Sequence, residues 1–229
     1  MHEQYVRSLF DSIAKRYDFL NHLLSGGIDR SWRHEAIERL RNLAHRRILD
    51  VATGTGDLAI AAMALGPEEV VGIDIAEGML ALGRSKVARL GMEASIRLRT
   101  GNAEHVDFAD GYFDAAMVAF GARNFEHLGD GLQEMRRVVR PGGRILVLEF
   151  SRPDRFFFRH LYFFYFRTLL PLIGRIVSGH RDAYAYLPET VMKFPQGEEF
   201  ISILRSLGFT QVSAERLTFG IASIYLGTK

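Results

Sequence analysis

The stretch that most limits what this chain can become is Asp50-Val-Ala-Thr-Gly-Thr-Gly-Asp57. It follows a short apolar run, Arg47-Ile-Leu-Asp50, that reads as a buried strand. It precedes Leu58-Ala-Ile-Ala-Ala-Met-Ala-Leu65, which reads as a helix. A glycine-rich turn between strand and helix lets a ligand approach the backbone closely, because Gly54 and Gly56 carry no Cβ. Gly54 to Ala59 also fits a dinucleotide fingerprint, with an acid 20 positions after Gly54. Asp50 and Asp57 argue against that ligand. A pyrophosphate seated between two carboxylates meets like charge, whereas an ammonium gains charge-assisted hydrogen bonds. S-adenosylmethionine carries an ammonium and a sulfonium and no phosphate, so it is preferred to NAD.

Around this turn the chain reads as one α/β domain of 229 residues. An N-terminal helical arm covers residues 1–45, a cofactor-binding core 46–150, a helical aromatic insertion 151–195, and a helix with a strand pair 196–229. There is no cysteine, so no disulfide or thiolate metal site is available. No Cys/His/carboxylate spacing suggests a metal, and none is expected. A formal charge of +2 does not suggest nucleic-acid binding. The N-terminus lacks the apolar core of a signal peptide, so a cytoplasmic location is expected.

In the arm, Val6, Leu9, Phe10, Ile13 and Tyr17 recur at helical spacing, Ser25-Gly-Gly27 breaks the pattern, and Trp32 to Leu43 resumes it. The arm either covers the sheet or lids a pocket, with Tyr17 and Trp32 offering aromatic faces to a ligand. Strands are expected at 69–74, 94–98, 113–120 and 144–150, with helices at 76–90 and 128–139. That alternation implies a parallel sheet whose ligands bind beyond the carboxyl ends of the strands. Asp74 falls at such an end and suits ribose hydroxyls. Asn102 and Ala103 suit the edge and face of an adenine, and Met79 offers it an apolar contact. For a single Asp at a strand end, capping the next helix is nearly as good an account. Residues 209–217 and 221–226 are read as a strand pair giving a seven-stranded sheet its antiparallel edge.

Phe156 to Phe166 places eight aromatics in eleven positions, and Arg152 to Arg181 carries a net charge of +5. Arg159, Arg167, Pro171 and Arg175 make this a poor membrane span. It is either a core helix or a basic aromatic surface for lipid headgroups or an apolar substrate tail. Peripheral attachment at the inner face of a membrane belongs to the second alternative. Tyr184 to Pro188 reads as an ordered loop, and Gln196 to Leu207 as a helix.

Several segments together resemble a known family: Asp50 to Asp57, Gly72 to Leu80, Asn102-Ala-Glu104, Phe120-Gly-Ala-Arg-Asn124, Pro141-Gly-Gly143 and Val147-Leu-Glu-Phe-Ser151. Val6 to Asn21, Leu170 to Gly174 and Tyr186-Leu-Pro-Glu189 extend the likeness over nearly the whole chain. The sequence is similar to the C-methyltransferases of ubiquinone and menaquinone biosynthesis. This resemblance implies a Rossmann-like class I methyltransferase that moves a methyl group from S-adenosylmethionine to a ring carbon of a polyprenyl quinol. Thr55, Asp74, Asn102 and Ala103 match the family's cofactor positions, and Asp50, Gly54, Gly56, Asp57, Met79 and Ala119 complete the expected cofactor set. A homodimer is compatible with this reading. Ala119 stands where some relatives carry serine, His105-Val-Asp107 replaces a usual apolar-proline stretch, and Phe219 and Tyr225 stand where many carry Gly and His.

A ring carbon becomes nucleophilic when an adjacent hydroxyl loses its proton, so the acceptor is expected to be the reduced quinol. Arg123 is assigned to the developing phenolate or to an attendant water, Asn124 to fixing the hydroxyl, and Tyr17 to stacking or polar contact. Pairing of Arg123 with a structural carboxylate is the alternative. His127 reads as a solvated loop residue. The competing functions are a methyltransferase for another small or lipidic acceptor, a non-catalytic quinone- or lipid-binding module, and more weakly an NAD dehydrogenase.

Overall fold

The computed structural model describes residues 4–12, 14, 27–41, 46–153 and 181–229, with side chains of 181–185 and 187 excepted. Tyr17, Ile13 and Phe156 to Ile176 lie outside these, so the expectations placed on them are not addressed by the structure. The sheet has seven strands: β1 (Arg47–Val51), β2 (Glu69–Asp74), β3 (Ile96–Thr100), β4 (Phe113–Ala119), β5 (Val139–Phe150), β6 (Thr210–Leu217) and β7 (Ala222–Thr228). Their order is β3-β2-β1-β4-β5-β7-β6. Pairing is parallel from β3 to β5, and β7 runs antiparallel to both β5 and β6. The antiparallel strand therefore sits one place inside the edge, and β6 is outermost.

Seven helices are described: α1 (residues 4–12), α2 (Ile28–Glu38), α3 (Asp57–Ala62), α4 (Glu77–Arg89), α5 (Leu128–Val138), α6 (Arg181–Lys193) and α7 (Glu198–Ser206). The middles of the central strands are mostly apolar, as a sheet covered on both faces requires. Side chains alternate between the two layers. Ile48, Val70, Met117 and Leu146 join Trp32, Leu58 and Leu80 on one face. Leu49, Val71, Val118 and Val147 join Leu132, Met135, Phe200 and Leu204 on the other. Trp32 is only 2% exposed and its indole N–H donates to Thr218 Oγ1 at 2.8 Å. It packs near Phe120 and Phe150, so it is a core residue and offers no face to a ligand.

Two other expectations are corrected. β5 begins at Val139, five residues early, and carries Pro141-Gly142-Gly143 within it. The last residue of the chain supports this extension, Gly142 N–H donating to the Lys229 carbonyl and Lys229 N–H to the Gly143 carbonyl. Tyr184 to Pro188 is helical within α6 and does not form a loop. A proline removes a single backbone donor from a helix, and α6 continues through Pro188 to Lys193. Among the described residues no helix is long and apolar enough to cross a membrane.

Candidate active site

The strand order reverses between β1 and β4, and the crevice beyond their carboxyl ends is where a sheet of this kind receives a ligand. The backbone there is bent sharply. Ala52 and Phe120, just past the two strands, have φ of 51° and 57°. Such left-handed geometry costs a side-chain-bearing residue roughly 1–3 kcal/mol. The two turns touch: a Cβ on Gly121 would lie 2.6 Å from the Ala52 Cβ. Only glycine at 121 allows that approach.

A cavity opens at this point. Its wall includes Gly54, Asp74, Met79, Asn102, Ala103, Ala119 and Asn124, contributed by the ends of β1, β2, β3 and β4. These are seven of the residues expected from the sequence. The wall also carries Glu104 and Glu126, so among the described residues it has three carboxylates and no lysine or arginine. Val6 and Phe10 of α1 close one side. Asp11 anchors that helix, its Oδ1 accepting the Gly78 N–H at 2.8 Å.

Asp74 is half-buried, and its Oδ2 accepts the Gly54 N–H at 2.8 Å while Oδ1 accepts the Ala76 N–H at 2.9 Å. It thus fixes both the glycine turn and the start of α4. Burial pushes its carboxyl above the usual aspartate range against the opposing effect of those two donors. Asn102 Oδ1 accepts the Glu104 N–H at 2.8 Å, which shapes the turn after β3. Met79 is buried beneath, 3.4 Å from where a Gly54 Cβ would stand.

The rest of the glycine turn faces elsewhere. Gly56 has φ of 80°, and its Cβ would meet Leu98 at 3.2 Å, so this glycine serves the turn and the packing of the loop. Thr55 is buried, and Lys86 Nζ donates both to its hydroxyl at 3.1 Å and to Asp57 Oδ1 at 2.6 Å. Arg33 stands 3.9 Å from Asp57 on the same side. The two carboxylates flanking the turn are therefore unlike. Asp57 is neutralised by cations behind the loop. Asp50 is 1% exposed, accepts the Thr53 hydroxyl at 2.5 Å on Oδ2, and leaves Oδ1 without a partner. Burial, only partly opposed by that hydroxyl, pushes its pKa up to about 7.

Arg123 and Asn124 form a short 3-10 turn, Ala122–Asn124, with Asn124 on the first cavity and Arg123 on a second. Arg123 Nη1 donates to Glu149 Oε1 at 2.7 Å and to the Phe120 carbonyl, so the pairing with a structural carboxylate occurs. Glu149 is fully buried at the end of β5. Arg123 Nε and Asn124 Oδ1 remain buried and without partners. Glu149 was not legible as a partner, since only the fold brings the ends of β4 and β5 together. His127 is paired: its Nδ1 lies 3.0 Å from Glu104 Oε2 and its backbone N–H donates to Glu104 Oε1. That pairing raises its pKa. Glu104, His127 and Asp130 come within 4.8 Å of one another, a proximity that sequence spacing did not suggest.

The comparisons with known proteins point the same way. The ubiE/COQ5 methyltransferase family profile matches residues 1–229. A demethylmenaquinone methyltransferase of Bacteroides fragilis is 47% identical over 225 residues, which is 98% of this chain and 92% of that protein. A ubiquinone/menaquinone biosynthesis C-methyltransferase of Geotalea daltonii is 45% identical over 98% of this chain and 96% of that protein. In fold, the chain is similar to a crystal structure from Thermotoga maritima described as a SAM-dependent methyltransferase and possible histamine N-methyltransferase. The TM-score is 0.68 with 18% identity, covering 97% of this chain and 99% of that one. With its sequence matched from end to end and its glycine turn set at the switch point of a seven-stranded sheet, this chain belongs to the ubiE/COQ5 methyltransferase family.

Proposed function

We propose that the protein is an S-adenosylmethionine-dependent C-methyltransferase of a reduced polyprenyl quinol, with demethylmenaquinol as the first acceptor and the demethyl benzoquinol precursor of ubiquinone as the second. The observation that carries the cofactor reading is the wall of the first cavity, with its three carboxylates and, among the described residues, no basic side chain. Such a wall suits a cationic, phosphate-free nucleoside and opposes a pyrophosphate. The names of the relatives support the choice of acceptor.

When bound, S-adenosylmethionine supplies an electrophilic methyl group on sulfonium. Asp74 would hold the ribose, Asn102 and Ala103 the adenine, with Met79 against its face. Gly54 and Ala119 line the same cavity and keep its wall low. Asp50, with one carboxylate oxygen unpartnered beneath the turn, is the residue assigned to the ammonium; Thr55, Gly56 and Asp57 hold the loop that carries it. Asn124 and Arg123 are assigned to the acceptor hydroxyl. An arginine does not give up its proton, so its contribution is to stabilise negative oxygen. The basic aromatic stretch Phe156 to Ile176 supports peripheral contact with the membrane in which such an acceptor resides.

Calorimetric titration tests the cofactor reading. The wild type is expected to bind S-adenosylmethionine and not NAD, and Asp74→Asn to weaken that binding at least about tenfold through loss of a charge-assisted bond. Equal binding by the variant, or a preference for NAD, would overturn it.

A further inference from the structure

A second cavity adjoins the first. Phe125 is common to both walls, and the Ala122–Asn124 turn stands between them. Tyr5 of α1, Phe194 and Tyr186 of α6 also line it. Its wall mixes aromatic and aliphatic side chains with Glu189, Thr190 and Lys193, and Arg123 stands at the boundary with the first cavity.

The polar groups at that boundary are unusual. Among the described residues, five buried side-chain polar atoms have no hydrogen-bond partner, and three of these are Arg123 Nε, Asn124 Oδ1 and the Tyr186 hydroxyl. Buried polar groups are almost always paired, so their concentration at one turn marks a place where further polar atoms are to be received. Arg123 and Asn124 have been assigned to the acceptor. Tyr186 has not, and the Arg123 charge acts on it directly. Tyr5 meets the tyrosine ring edge-on at 5.9 Å. Burial raises the phenol above its ordinary pKa, with Arg123 opposing, so at neutral pH the group is a donor.

We propose that the Tyr186 hydroxyl donates a hydrogen bond to a ring oxygen of the hydroquinone acceptor, and that the acceptor occupies the second cavity with its ring against the Ala122–Asn124 turn. This rests on the quinol reading above and adds a residue and a chamber to it. The bond strengthens as the ring oxygen becomes negative, so its loss falls mainly on kcat. The arrangement also accounts for a cavity with four aromatic residues in its wall next to one with three carboxylates. An isoprenoid-bearing ring needs the first kind of surface, and a sulfonium nucleoside needs the second.

The test is Tyr186→Phe, assayed with a short-chain demethylmenaquinol kept reduced by dithionite, alongside S-adenosylmethionine affinity and Tm. The hydroxyl makes no bond in the free protein, so Tm is expected to be unchanged or raised and cofactor Kd to stay within about twofold, whereas kcat/KM falls about 10- to 100-fold. Wild-type kcat/KM in the variant would overturn the inference. So would an activity loss matched by a fall in Tm or in cofactor affinity, which would make the hydroxyl structural. A wild type that binds the cofactor yet transfers nothing to this quinol would sink the acceptor reading and the inference with it; an active wild type beside an equally active variant sinks the inference alone.

Discussion

At the scale of single residues, Asp50 is a carboxyl held almost wholly out of water. It is buried, holds one donor, and keeps its proton up to about pH 7. The unfolded chain loses that proton near pH 4, at the ordinary aspartate value of about 3.9. Between those values the folded state binds more protons. Stability from this carboxyl is complete below about pH 4 and declines as pH rises toward 7, by at most about 1.4 kcal/mol per pH unit. Asp50→Asn cannot ionise and is expected to remove that decline. Urea unfolding of both proteins at intervals from pH 4.5 to 7.5 measures the difference. Parallel curves would show that Asp50 does not titrate in this window. Asp57, its apparent twin in the sequence, has Lys86 and Arg33 beside it instead. Two acids seven positions apart looked equivalent because both flank the same glycines. Only the packing of α4 and α2 behind the loop separates them.

At the scale of elements, the catalytic crevice depends on two turns that meet, Ala52 after β1 and Phe120-Gly121 after β4. Gly121→Ala would place a methyl 2.6 Å from the Ala52 Cβ and 3.2 Å from Val118. It should destabilise the protein by about 1–3 kcal/mol as overpacking does, and weaken S-adenosylmethionine binding at the same time, because both turns line the cavity. Chemical denaturation with calorimetry checks both effects; a loss of stability with full affinity would separate the turns from the site. The core elements themselves were legible. β2 occupies 69–74 as expected, and α4 and α5 fall within one residue of their expected starts and ends, because long periodic runs bounded by glycine and proline leave few alternatives. The failures have local causes. Pro188 reads as a helix breaker, yet α6 runs through it. Pro141-Gly-Gly143 reads as a loop, yet pairing with the chain terminus draws it into β5. Trp32 reads either as part of an arm covering the sheet or as a stacking face over a pocket, and α2 turns it into the core. The bonds of Trp32 to Thr218 and of Gly142 and Gly143 to Lys229 are contacts distant in sequence.

At the scale of the whole molecule, the fold gathers residues from four strand ends and two helices into two adjoining cavities, one with three carboxylates in its wall and one beside Arg123 and Tyr186. Of the expected site, Gly54, Asp74, Asn102, Ala103 and Ala119 came together in one cavity, since a parallel sheet places such strand ends on one rim, whereas Asp50, Thr55, Gly56 and Asp57 do not line it. Glu149 and Tyr186 could not be found from spacing alone, because the first is reached across the sheet and the second from α6, more than sixty residues beyond the turn it faces. Helix α1 lends side chains to both cavities and α6 to the second. The measurement that tests this account most directly is transfer of labelled methyl from S-adenosylmethionine to demethylmenaquinol, with the labelled atom located in the product by mass spectrometry. The account predicts a label on a ring carbon, obtained from the reduced acceptor and not from its oxidised form. Label on a ring oxygen, or equal transfer to the oxidised quinone, would contradict it.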